Sequence, residues 1–210
     1  MLSNLIEETL KIFDENRHQI GEATRDDVHK NGYWHETFQC WLISIENDQA
    51  FIYFQIRSKI KKDFPNLLDI TAAGHILSNE TVEDGIREVK EELGIEVNFD
   101  EVISLGVVKN KIVLDDFIDN EFSHIFLLKS DQPFTDFKLQ KSEVSGIVKS
   151  NFNDFYNFAL GLKESIQVEG FEINDHDEKI LINKIVSKEQ FVSHEDEYLL
   201  KVVELLKEQL

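Results

Sequence analysis

Residues 74–95 read GHILSNETVEDGIREVKEELGI. Val82, Ile86, Val89 and Leu93 recur at spacings that place them, at ~100° per residue, within roughly 60° of a helical circumference. Glu88, Glu91 and Glu92 fall on a separate arc of about 100°. The spacing predicts a helix with one apolar face against a sheet and another face of clustered acids. Thr81 suits the N-cap with Asp84 as a shortened capping box, and Gly94 suits the left-handed position that closes the last turn. Carboxylates crowded on one turn repel each other, which raises some of their pKa values, and a divalent cation would remove that cost. A solvated acidic face has the same spacing. Two details favour a metal site. Lys90 lies outside the acid cluster, and the helix follows a small-residue turn, Ala72-Ala73-Gly74, at the end of an apolar strand, where ligands tend to bind.

Upstream of that turn, LLDITAAGHI (67–76) reads as a strand, preceded by the polar, basic loop KIKKDFPN. FQCWLISI (38–45) and AFIYFQIRS (50–58) predict a hairpin around Glu46-Asn47-Asp48. Thr24 as N-cap, Asp26 and Asp27 in the first turn and Gly32 as terminator predict a short helix. LKIFDENRHQIGEA (10–23) reads as two strands about Glu15-Asn16, and residues 1–8 as a short helical start. Downstream, IEVNF, EVISLGVVK, KIVLDDFI, EFSHIFLLKS and QKSEVSGIVKSN read as strands, NFNDFYNFALGLK (151–163) as a helix, and ESIQVEGFEIN and EKILINKIV as strand-like. The tail HEDEYLLKVVELLKEQL is an amphipathic helix with Leu199, Val202, Val203 and Leu206 on one face, for core packing or a homodimer contact.

The 210 residues suffice for a sizeable core. Apolar content of 41% and only two Pro argue against disorder. With 22 Lys+Arg against 41 Asp+Glu the net charge is -19, which opposes general binding to nucleic acid or anionic membrane. Small phosphorylated substrates held through metal ions are compatible with it. Cys40 is the sole cysteine, so no intramolecular disulfide or cysteine-based zinc site forms. The first residues carry no basic n-region, and no apolar run reaches the ~20 residues of a membrane helix. A soluble, cytoplasmic protein is expected.

The central stretch resembles the Nudix box, G-x5-E-x7-R-E-U-x-E-E-x-G-U with U aliphatic. Arg87, Glu88, Val89, Glu91, Glu92, Gly94 and Ile95 match its second half. One departure stands out: six residues, not seven, separate Glu80 from Arg87. Glu80 is therefore left outside the expected catalytic core. The order IFDEN…G…R…VH…G-x-W-H, then FQIRSK, then FPNLLDITAAGH resembles a Nudix branch related to isopentenyl-diphosphate isomerase, over about residues 10–150. The resemblance implies an α+β fold, the Nudix α/β/α sandwich around a mixed sheet. We divide the chain into an N-terminal extension (1–34), a Nudix hydrolase domain (35–165) and a C-terminal extension (166–210).

The resemblance further implies a hydrolase that cleaves the diphosphate linkage of a nucleoside diphosphate joined to another group, or of a related small phosphorylated substrate, with Mg2+ or Mn2+. Glu88, Glu91 and Glu92 are the implied ligands, with Gly74 completing the site, and Arg87 orients a glutamate. A metal-bound water attacks phosphorus. Glu143, after the last core strands, is an additional catalytic candidate, and Glu121, before FSHIFLL, a cleft candidate; both also read as surface acids. His75, Arg57 and Lys59 are candidates to contact substrate phosphate. His75 also reads as a hydrogen-bonded turn residue, His35 and Trp34 as cleft residues, and Trp34 as core. Two alternatives remain: an isomerase dependent on a cysteine and a glutamate, for which only Cys40 is on offer, and a catalytically silent binding module.

Overall fold

The computed structural model describes residues 8–114 and 117–210. The expected helical start, residues 1–8, lies outside them except for Glu8.

The organising strand is β3, Trp34–Glu46; its chain neighbours are β1 (Thr9–Phe13), β2 (Gln19–Thr24), α1 (Arg25–Asn31) and β4 (Gln49–Arg57). The helix α1 forms as its sequence predicts. Thr24 accepts the Asp27 N–H at 3.3 Å, and Gly32 closes the helix at φ 66°. The β3–β4 hairpin turns at Asn47 and Asp48, with φ 48° and 61°, the tight geometry that matches strand twist.

Next come β5 (Leu68–Asp69), β6 (Ala72–His75), α2 (Arg87–Leu93), β7 (Ile103–Leu114) and β8 (Phe117–Lys129). The strands β9 (Val144–Asn151), β10 (Ser165–Ile173) and β11 (Lys179–Ser187) follow, with α3 (Phe152–Ala159) after β9 and α4 (Asp196–Lys207) near the end. The described strands form one mixed sheet. β3 runs parallel to β8, from Trp34 opposite Asn120 to Ile43 opposite Lys129. Its other edge meets β6 through Thr37–Cys40 and β4 through Ile43–Glu46, both antiparallel.

Alternation along β3 sets the layers. Phe38, Cys40 and Leu42 face Val89 and Leu93 of α2, whereas Trp41 and Ile43 face the aromatic side of α3 and the Tyr198, Val202, Val203 and Leu206 stripe of α4. This is the expected α/β/α sandwich, and the α4 stripe is buried in the chain's own core. Among the described residues no helix is long and apolar enough to cross a membrane.

Three local expectations are corrected. The helix at the centre begins later than Thr81: a 3-10 turn spans Glu83–Ile86 and α2 covers only Arg87–Leu93. Asp84 accepts the Thr81 N–H and hydroxyl, both at 2.8 Å, and Gly85 lies so close to Phe38 that a Cβ would sit 2.6 Å from it. That approach tightens the turn. IEVNF is not a strand, because Ile95 is buried in the α2-side core and Asn98 caps a 3-10 turn, Phe99–Glu101. The runs 101–109 and 111–118 form no separate strands; β7 spans their junction and pairs with β8 from Ile103–Leu127 to Leu114–Phe117, with residues 115 and 116 of the second run outside the described residues.

Candidate active site

The β6 strand and α2 pack together and bring the predicted acids onto a small-residue floor. Glu92 is 5% exposed, and its Oε2 accepts the Ala73 N–H at 3.0 Å and the Gln55 amide at 3.2 Å. Glu88 lies over Gly74, where a Cβ would stand 2.0 Å from Oε1; only glycine leaves room for the carboxylate. Burial pushes the Glu88 carboxyl up to about 7 against the pull of Arg87, with the Glu91 charge adding to the rise. Burial and the Glu88 charge hold the Glu92 carboxyl well above the usual range.

Arg87 spends its donors on this acid set. Nε reaches Glu80 Oε1 at 2.7 Å, and Nη2 reaches Glu80 Oε2 at 3.1 Å and the His75 carbonyl at 3.2 Å. Nη1 serves Glu88 at 2.5 Å and Glu91 at 3.1 Å. Glu80 also accepts the Leu77 N–H at 2.9 Å. The shortened loop therefore still delivers Glu80 to the site, as the side-on partner of Arg87, a placement that box spacing left open.

Glu88, Glu91, Glu92, Gly74, Arg87, His75, Arg57 and Glu143 all line one cleft of about 970 Å³. Across it, Arg57 donates to Asp69 Oδ2 at 2.8 Å and to the Asp63 carbonyl at 2.9 and 3.2 Å. Glu143 is paired with Lys61, which lines the cleft. Lys59 is corrected: it is exposed, pairs with Asp175 and is not in the wall. Ser58 hydrogen-bonds to the Glu143 carbonyl where the chain leaves β4, and the following turn presents Lys61 inward instead. Trp34 is 6% exposed and stacks on Phe122 at 4.8 Å, in a core away from the cleft.

A second polar cluster borders the cleft: His29, His75 and Asp119 line it, whereas His35, expected as a cleft residue, is fully buried outside the lining. The rings of His29, His35 and His75 lie 5.1–5.2 Å apart. Asp119 Oδ1 stands 3.5 Å from His29 Nε2 and 3.3 Å from His35 Nε2, and these three buried atoms form no hydrogen bond. One ligand atom from each histidine, and likewise from His35, Asp119 and Glu121, lies within 4.8 Å of the others. Burial lowers the His35 pKa against the pull of Asp119, and burial with the neighbouring imidazoles lowers that of His75. Imidazoles beside carboxylates suit a first-row transition metal. Sequence reasoning weighed His35 and His75 singly and missed His29 and Asp119. The four stand on α1, β3, β6 and β8, so no local spacing links them.

Glu121 is 8% exposed in the same wall, and Gln39, Asn110 and Ser123 all donate to its Oε2 at 3.1 Å. Burial and the charge of Asp119 push its carboxyl up to about 8.

The NUDIX domain model matches residues 35–163. An uncharacterized Nudix hydrolase of Clostridium acetobutylicum is 39% identical over 192 residues, spanning 91% of this chain and 93% of its own. Isopentenyl-diphosphate Delta-isomerase 1 of Photorhabdus laumondii is 26% identical over 153 residues, 72% of this chain and 84% of its own. The crystal structure of DR0079 from Deinococcus radiodurans superposes with a TM-score of 0.56 at 20% identity, over 73% of this chain and 90% of that one, a likeness of fold. The acids of α2 thus sit on a matching scaffold, and the chain belongs to the Nudix family as a Nudix hydrolase.

Proposed function

We propose that the chain cleaves a diphosphate linkage in a nucleoside diphosphate joined to another group, or in a related small phosphorylated molecule, with a divalent cation. The observation that carries this reading is the pressing of Glu88 onto Gly74 beside buried Glu92. Two carboxyls kept from ionising by burial are a set that a cation stabilises. Oxygen donors of this kind fit Mg2+ or Mn2+. When bound there, the cation would screen phosphate charge and supply an activated water.

The chain's own residues do the rest. Glu88, Glu91 and Glu92 hold the cation, and Arg87 keeps Glu88 and Glu91 in place. Arg57 and Lys61 line the same cleft as the acids and take the phosphate oxygens, which gives an acidic protein its local positive surface. Glu143, released by Lys61, and Glu121 are the candidates to accept the proton of the attacking water.

Cys40 counts against the isomerase reading. It is 2% exposed on the α2 side of β3, while its neighbour Gln39 lines the cleft, and burial pushes its thiol up to about 12. A hydrolysis screen over nucleotide sugars, dinucleotides, coenzyme A derivatives and non-nucleotide diphosphates, with Mg2+ and Mn2+, tests the proposal. Turnover of at least one class, abolished in Glu92→Gln, is expected; isomer formation without diphosphate cleavage would overturn it.

A further inference from the structure

The segment before and into α4 lies beyond the family-matched region, yet two of its side chains reach the network behind the cleft. The Val192 N–H bonds to the Leu68 carbonyl at 2.9 Å and ties the segment to β5. His194 then bonds to Asp69 through Nε2 and to Asn110 through Nδ1, both at 3.1 Å. Tyr198, 1% exposed, donates its hydroxyl to Gln39 Oε1. Asn110 and Gln39 are the two amides that donate to Glu121 Oε2. We infer that His194 and Tyr198 are positioning residues for the Glu121 carboxylate, each acting through one amide.

The orientation passes along both arms. The Asp69 carboxylate is a pure acceptor also held by Arg57, so His194 carries its proton on Nε2. Nδ1 is then an acceptor, and the Asn110 NH2 must face it. The second N–H of that same NH2 is aimed at Glu121. On the other arm, the Tyr198 hydroxyl occupies the Gln39 oxygen and turns the Gln39 NH2 toward Glu121. Asn110 is fully buried and Gln39 nearly so, which makes loss of a protein partner costly for either amide. All these donors fall on Oε2, and Oε1 takes no part in them. Outer partners of this kind fix the orientation of the group they hold.

Two readouts test this, one of them independent of turnover. The Glu121 side-chain carboxyl 13C resonance is assigned by its loss in Glu121→Gln. It should move in Tyr198→Phe, which removes one hydroxyl and keeps the ring, and in His194→Ala; a resonance unmoved in both overturns the inference. The second readout rests on the hydrolase reading. Each variant should lower kcat about tenfold, with KM for Tyr198→Phe nearly unchanged, and add nothing in a Glu121→Gln background. Equal losses in both backgrounds overturn the positioning role. A wild-type protein without hydrolysis defeats the hydrolase reading, while the resonance still decides the positioning.

Discussion

Glu80 and Arg87 meet side-on, Oε1 to Nε at 2.7 Å and Oε2 to Nη2 at 3.1 Å, across the 3-10 turn that precedes α2. Both side chains are well covered, at 14% and 28% exposure. The pair holds the guanidinium so that its remaining Nη1 faces Glu88 and Glu91. Glu80→Gln keeps the shape and removes the charge. The variant should lose about 1–3 kcal/mol of stability in a urea titration, the cost of weakening a charged hydrogen bond at a covered site. Turnover should fall about tenfold, because Arg87 is free to swing over Glu88. Unchanged turnover with lowered stability would show Glu80 to be a purely structural support.

The floor under Glu88 gives a sharper probe. Gly74→Ala places a methyl group where Glu88 Oε1 now lies, 2.0 Å away, on a strand paired to β3 through Phe38. The backbone is held by that pairing, so the carboxylate must move. Mn2+ affinity, read by titration calorimetry, should fall about 10- to 100-fold, the usual cost of misplacing a metal ligand. Retained affinity would place the cation elsewhere in the cleft.

Local pattern made the α2 acids, the capped α1 and the β3–β4 hairpin legible, because each is decided by residues within one or two turns of one another. The 3-10 turn before α2 was not legible: Gly85 reads as an ordinary helix weakness until Phe38 is seen against it. The histidine cluster escaped for a deeper reason. His29 and Asp119 are brought together by the α1–β8 packing, and nothing in the sequence around either marks the other. Lys61, which lines the cleft, is not marked in the sequence because strand alternation stops at Arg57. Beyond it, positive φ at Phe64 and Asn66 shapes the loop over the cleft.

That loop gives a paired prediction. Lys61→Ala should raise KM for a diphosphate substrate about tenfold with little change in kcat, since it removes a charged contact worth about 1.5 kcal/mol. Lys59→Ala, altering an exposed pair with Asp175, should leave both constants unchanged. Steady-state kinetics on the same substrate separates them; equal effects would mean that the loop acts as a diffuse positive patch.

Asp69 links the cleft to acid stability. Burial alone would raise its carboxyl, but the His194 hydrogen bond and the charge of Arg57 outweigh it and hold the group at about 2, below its ordinary 3.8. A depressed carboxylate stabilises the fold at any pH above its unfolded value and loses that contribution as pH falls through the folded one. The window is therefore pH 4 down to 2, and the full contribution is about 2 kcal/mol. Urea titrations at pH 5 should find Asp69→Asn less stable than wild type by about that amount. The gap should narrow steadily toward pH 2, where about half of the wild-type Asp69 carboxyls are protonated, and should close below it. His194→Ala should shrink the window as well, because it removes the strongest single partner holding the proton off. A gap between wild type and Asp69→Asn that stays constant from pH 5 to pH 2 would mean that Asp69 contributes shape and hydrogen bonding, not charge, to the wall of the cleft.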